Sequence, residues 1–162
     1  GLPVLGYVDV SIDDNVPAEP YTVPFGKARI VREGTDVTIV GFSQTVQKAA
    51  IAADLLASRG ISAEVIDPRT LVPLDVEAIV ASVQKTGRLL VVDEDYRNFG
   101  MTGEISALIG ERLDVIRLKA PIQRLGVAGV SIPYSPALEK VVIPQVDHVI
   151  EAAERLVASK VL

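Results

Sequence analysis

Gly87-Arg-Leu-Leu-Val-Val-Asp-Glu94, followed after a short loop by Gly100-Met-Thr-Gly-Glu-Ile105, is the stretch on which the fold turns. Leu89 to Val92 are apolar without alternation. A strand with that pattern is covered on both faces, as central strands of parallel sheets are. The glycine-bounded loop that follows leads into a helix expected from about Thr102, carrying Ile105, Leu108, Ile109 and Leu113. Gly110 weakens that helix without being expected to stop it.

The same rhythm extends outward. Ala63 to Asp67 reads as a short strand, and Asp75 caps a helix bearing Val76, Ile79, Val80 and Val83 that ends at Gly87. Further upstream, Asp36 to Val40 is a strand. Val46, Ala49, Ala50, Ala53, Leu56 and Ala57 then fall at helical spacing, with Ser43 as N-cap and Gly60 as stop. Arg29-Ile30-Val31 and the Asp36 strand, separated by Glu33-Gly34, read as a hairpin that makes one strand antiparallel. Downstream come a strand between Val115 and Leu125, a Pro-rich loop, and a last helix with Val149, Ile150, Ala153, Leu156 and Val157. The expected fold is α/β, a three-layer sandwich around a mostly parallel five-stranded sheet with one antiparallel strand. Residues 1–24, with Pro3, Pro17, Pro20, Pro24 and Asp13-Asp14, have no period and read as an arm or linker from something larger upstream; residues 25–162 form the domain.

Composition narrows the function. The 162 residues are 49% apolar but only 4% aromatic, so the core is built from Val, Ile, Leu and Ala. A formal charge of −5 with basic residues scattered among acids offers no stripe for nucleic acid. Cysteine is absent, which removes disulfides, thiolate metal sites and thiol nucleophiles. No run approaches the roughly 20 apolar residues of a membrane span.

Ligands of open parallel sheets gather at the carboxyl ends of strands. Gly41-Phe-Ser-Gln44 lacks a phosphate-cradling glycine pattern. Arg69, between Pro68 and Pro73, is expected to pair with Asp67 or Asp93, or to meet a partner's carboxylate. Asp93-Glu-Asp95 could in principle hold magnesium in a small enzyme, but no phosphate-binding lysine accompanies it. Tyr96, Arg97 and Phe99 are residue types favoured at interface centres and make the best contact candidates. Glu104 suits the positive field of a helix's first turn, and Tyr134 sits on a rigid loop. His148, the one histidine, reads as a solvent-facing helix residue. Machinery for acid, base, nucleophilic or metal catalysis is missing, so no catalytic, cofactor-binding or metal residue is assigned.

These segments resemble a known family. Pro17-Ala-Glu-Pro-Tyr-Thr-Val-Pro-Phe-Gly-Lys-Ala28, Val31-Arg-Glu-Gly-Thr-Asp-Val-Thr-Ile-Val40, Asp67-Pro-Arg-Thr-Leu-Val-Pro-Leu-Asp75, Gly87 to Glu94, Gly100 to Ile105 and Ile132-Pro-Tyr-Ser-Pro136 are similar, in order, to the transketolase-like C-terminal domain of thiamine-diphosphate-dependent 2-oxoacid dehydrogenase beta subunits. The entry segment at Pro17 to Ala28 favours that parent over a transketolase or a deoxyxylulose-phosphate synthase. In such enzymes the N-terminal domain of the beta subunit binds the pyrimidine end of the cofactor. The alpha subunit holds the diphosphate and magnesium through a Gly-Asp-Gly motif. The C-terminal domain supplies beta–beta and alpha–beta contacts and, in many complexes, docks the dihydrolipoyl acyltransferase core. The resemblance therefore implies an assembly module, inactive alone, from a cytoplasmic or mitochondrial-matrix enzyme that binds neither nucleic acid nor membrane. Its interface candidates are Arg69, Tyr96, Arg97, Phe99, Glu104, Tyr134, Glu139 and Asp147. Family members often carry an acid just before the Ile-Pro-Tyr loop, whereas Val127-Ala-Gly-Val130 is neutral; Glu139, Asp147, Glu151 and Glu154 are the substitutes at hand.

Overall fold

The computed structural model describes residues 18–159, so most of the expected arm lies outside the described residues. In chain order the elements are β1 (Arg29–Arg32), β2 (Val37–Gly41), α1 (Gln44–Ser58), β3 (Ala63–Asp67), α2 (Val76–Thr86), β4 (Leu89–Tyr96), α3 (Met101–Gly110), β5 (Gln123–Val127), α4 (Pro136–Val142) and α5 (Val146–Ala158). The strands form one sheet in the order β1-β3-β2-β4-β5. β2, β3, β4 and β5 run parallel, and β1 is antiparallel to β3.

β1 and β2 are not a hairpin. β3 lies between them, with Arg29 opposite Asp67 and Ile30 opposite Ile66. The reason is at Gly34. Instead of turning back, the chain crosses the start of β3, where the amides of Thr35 and Asp36 donate to the Ser62 carbonyl at 3.1 and 2.8 Å. A Cβ on Gly34 would sit 2.2 Å from the Ala63 carbonyl carbon and the Glu64 nitrogen. Glycine is needed there for close passage, not for a tight turn.

Alternation along the central strands feeds two cores. Val37, Ile39, Leu90 and Val92 point to the layer of α1 and α5, where Ala49, Ala53, Leu56, Val149, Ala153 and Leu156 meet them. Val40, Leu89 and Val91 point to α2 and α3, against Ile79, Val83, Ile105 and Ile109. Both faces are covered, which is why β4 reads as an unbroken apolar run. Truncating one of these fully buried Ile or Leu side chains to Ala costs about 2–5 kcal/mol.

At the amino ends of the parallel strands a polar network is closed. Thr38 Oγ1 lies 2.7 Å from Ser82 Oγ and 2.8 Å from Thr86 Oγ1. Glu64, 1% exposed, accepts from Lys85 Nζ and from the Gly34 amide, and Lys85 also reaches Glu33 at 3.2 Å. Burial pushes the Glu64 carboxyl up, but hydrogen bonds from Lys85, Ser82 and Gly34 outweigh it and hold the group below its ordinary value. The Glu64 carboxylate correspondingly raises the Lys85 ammonium.

Helix ends depart from expectation in three places. Ser43 precedes α1 but makes no side-chain cap; the Thr45 hydroxyl accepts the Phe42 amide at 2.8 Å instead. α3 does stop at Gly110, and Leu113 is exposed beyond it. α4 begins at Pro136, where only a Pro-rich loop was expected, and none of its side chains is buried. Asp75 does cap α2, accepting the Ala78 amide at 3.3 Å, and Gly87 ends that helix in a left-handed conformation.

Candidate functional site

β2 and β4 are neighbours, yet the chain leaves β2 through α1 on one face and β4 through α3 on the other. Their carboxyl ends therefore flank the crevice in which doubly wound sheets hold ligands. Here it is bridged. Buried Thr45 donates from Oγ1 to the Val92 carbonyl at 2.8 Å, tying the β2–α1 turn to β4. Asp93 is buried beside it, its carboxylate accepting the Asp95 amide at 3.3 Å. Burial, reinforced by the charges of Asp95 and Glu94, pushes Asp93 up despite its backbone hydrogen bonds. Lys48 donates to the Pro144 carbonyl at 2.9 Å; burial lowers its pKa against the pull of Glu94 and Glu139. A crevice that presents crowded carboxylates, a bridged opening and an engaged lysine does not fit a diphosphate. Among the described residues no three His, Asp or Glu side chains are grouped to hold a metal ion.

What this end of the sheet does carry is strain and exposed apolar surface. Non-glycine residues with positive φ occur once in each of three crossover loops: Ser43 (50°), Arg69 (60°) and Phe99 (65°). The Phe99 turn is held by its neighbours. A Cβ on Gly100 would lie 2.2 Å from the Tyr96 carbonyl oxygen, so only glycine lets α3 begin so close to β4. The Arg97 amide donates to the Val127 carbonyl at 2.9 Å, and Arg124 donates to the Arg97 carbonyl at 3.2 Å. With its base fixed, the turn presents Phe99 wholly to solvent and Tyr96 in part. Beyond β5, Val130, Ile132, Tyr134, Leu138 and Val141 are all exposed.

The expected contact residues thus divide. Tyr96, Arg97 and Phe99 share the β4–α3 turn, which is bonded to the end of β5, and Tyr134 lies on the loop that leaves β5. Glu104 and Glu139 occupy the first turns of α3 and α4, and Asp147 that of α5. Arg69 stands apart in the β3–α2 loop. Its expected pairing with Asp67 or Asp93 is not formed: only its backbone amide meets Asp67, at 2.9 Å, and the guanidinium stays exposed. His148 is not solvent-facing either. It is half-buried and accepts the Gln145 amide on Nδ1 at 3.1 Å, closing a capping box on α5.

Leu138 and Val141 were missed, although Ser135-Pro136 followed by apolar residues three apart is a legible helix start. Tyr21, Phe25 and Val72 are exposed as well, Val72 on the β3–α2 loop to which Gly26 is bonded.

The strand order, the antiparallel edge strand and the central strands covered on both faces define a three-layer α/β module. The chain belongs to the transketolase C-terminal domain family, whose model matches residues 26–149. Within it, the chain is similar to the pyruvate dehydrogenase E1 component subunit beta of Dictyostelium discoideum, a mitochondrial protein, with 45% identity over 90% of the chain and 40% of the relative. The Bacillus subtilis pyruvate dehydrogenase E1 subunit beta is 41% identical over 90% of the chain and 44% of its own length. The beta subunit of the Bacillus subtilis acetoin:2,6-dichlorophenolindophenol oxidoreductase is 40% identical, over 91% and 43%. The chain spans less than half the length of these relatives. Among solved structures, a split-gene transketolase described as an inactive beta4 tetramer superposes with a TM-score of 0.77 at 27% identity, over 87% of this chain and 45% of that one. No helix among the described residues is long and apolar enough to cross a membrane.

Proposed function

We propose that this chain is the assembly domain of the beta subunit of a 2-oxoacid dehydrogenase, inactive by itself, whose work is to hold subunits together. The carrying observation is the fixed turn that places Phe99 in solvent beside the exposed residues of the β5–α4 region. A rigid aromatic on a bonded base is the kind of residue that dominates interface energetics. In this reading Phe99, Tyr134 and α4 meet a second beta subunit and the alpha subunit. The exposed acids of α5, Asp147 and Glu151, are available to an acyltransferase core. Thiamine diphosphate and magnesium belong to other parts of the assembly. The whole enzyme would decarboxylate a 2-oxoacid oxidatively and pass the acyl group to lipoamide, in the cytoplasm or the mitochondrial matrix. Identities of 40–45% to dehydrogenase-type beta subunits, against 27% to the transketolase chain, favour this parent.

The test is sedimentation of the assembled enzyme with Phe99→Asp and Tyr134→Asp. Each removes an exposed side chain, so the fold stays within about 0.5 kcal/mol. Association should weaken by about 2 kcal/mol, roughly thirtyfold. An unchanged assembly constant in the double variant would sink the reading.

A further inference from the structure

α4 is weakly anchored by its own side chains. None of its seven residues is buried, none joins either hydrophobic core, and Ser135 ahead of it makes no side-chain cap. A helix shorter than about 12 residues is not stable in water by itself. Support has to come from its ends. At the carboxyl end the chain passes through buried Pro144, whose carbonyl accepts a hydrogen bond from Lys48 Nζ at 2.9 Å, 96 residues away in sequence. Gln145 Nε2 donates to the Ile143 carbonyl at 2.9 Å from within the same junction. The Lys48 bond differs in kind, because it comes from α1, which is seated in the core through Ala49, Ala52, Ala53 and Leu56.

We propose that Lys48 is the latch that fixes α4 to the body of the domain, a positioning residue that decides whether this helix is ordered. The consequence for assembly rests on the reading of α4 as a contact helix; the latch itself does not. A cation just past the carboxyl end of a helix is also favoured by the helix dipole. Lys48 gives up water for this place: burial draws its ammonium below the usual lysine value, against the opposing pull of Glu94 and Glu139. Glu94 lies near the end of β4, ahead of the Phe99 turn, and Glu139 lies on α4. One ammonium thus addresses both elements to which contacts are assigned. Without it, Pro136–Val142 opens locally while the sheet stays closed.

The test is amide hydrogen exchange on the assembled enzyme with Lys48→Met, which keeps the apolar stem and removes the donor. The amides of Glu139 and Ile143, bonded to the Ser135 and Glu139 carbonyls, should exchange about tenfold faster, as expected for losing a hydrogen bond from a charged donor. The β2 and β4 amides should keep their rates and report an intact fold. Lys48→Arg can still donate to Pro144 and should recover most of the protection. Unchanged exchange in α4 overturns the proposal. So does acceleration that spreads equally to β2 and β4, which would make Lys48 a general stabiliser, and so does an arginine variant as fast as the methionine one. Sedimentation separates this from the assembly reading. Faster α4 exchange with assembly at full strength leaves the latch standing and overturns the contact role of α4, whereas weakened assembly with unchanged exchange overturns the latch.

Discussion

The two ends of this sheet are built on opposite principles. At the amino ends of the parallel strands, a buried carboxylate is matched by an ammonium, an amide and hydroxyls. At the carboxyl ends, Asp93 is buried beside further acids, three non-glycine residues adopt positive φ, and aromatic side chains face water. In the proposed reading one end stabilises the domain and the other presents a contact surface, the kind of place where backbone strain is commonly kept.

Breaking the closed end should give the largest effect. Lys85→Met strands Glu64 as a buried, uncompensated charge, which costs about 3–5 kcal/mol. Urea unfolding at neutral pH measures it. Adding Glu64→Gln should recover most of the loss, and a double variant no better than the single would show that Lys85 acts through packing alone. The pH dependence has a definite sign. Glu64 titrates lower when folded, so its contribution is complete above the unfolded carboxyl value of about 4.3 and disappears as pH falls through the folded one. Lys85 titrates higher when folded; its contribution is complete below about 10.4 and is lost as pH rises through its folded value.

Asp93 inverts that sign. Its folded carboxyl holds a proton more tightly than the unfolded one, so it favours the fold below about 3.9 and loses that contribution as pH rises through its folded value. At neutral pH it is a net cost. Asp93→Asn keeps an acceptor for the Asp95 amide and should stabilise the domain by on the order of 1 kcal/mol, with the gain shrinking in acid. A destabilised variant at pH 7 would mean that the carboxylate has an unseen cationic partner, and the contrast between the two ends would fail.

The sequence told these ends apart only in part. The central strands were legible because apolar residues on both faces have one physical reading. The Asp75 cap and the Gly87 stop were legible because their chemistry is local. The β1–β2 hairpin was misread because Gly34 is compatible with a turn and with close passage, and only β3, some 30 residues on, decides between them. The local ion pair expected at Arg69 is absent: the residue sits at positive φ with its side chain exposed, and nothing in Pro-Arg-Thr announces that backbone angle. The contact candidates Tyr96 and Phe99 could be named from residue type alone, whereas the approach of Gly26 to Thr70 in the β3–α2 loop, 44 residues on, leaves no local mark in the sequence.

The smallest expected effect is the most discriminating. A non-glycine residue held at positive φ costs on the order of 1 kcal/mol, part of which glycine gives back through its freer unfolded chain. Ser43→Gly and Arg69→Gly should therefore each stabilise the domain by about 0.5 kcal/mol, read from the urea midpoint, without altering assembly. Phe99→Gly should stabilise it by a similar amount and yet weaken assembly, because relief of strain and loss of the aromatic anchor come with the same substitution. Opposite signs at one residue, against a single sign at the other two, would separate strain kept for presentation from strain that merely shapes a turn. If Phe99→Gly left assembly at full strength, the positive φ at that position would belong to the turn geometry imposed by Gly100 and Tyr96, and the carboxyl end would lose its principal claim to be the contact surface.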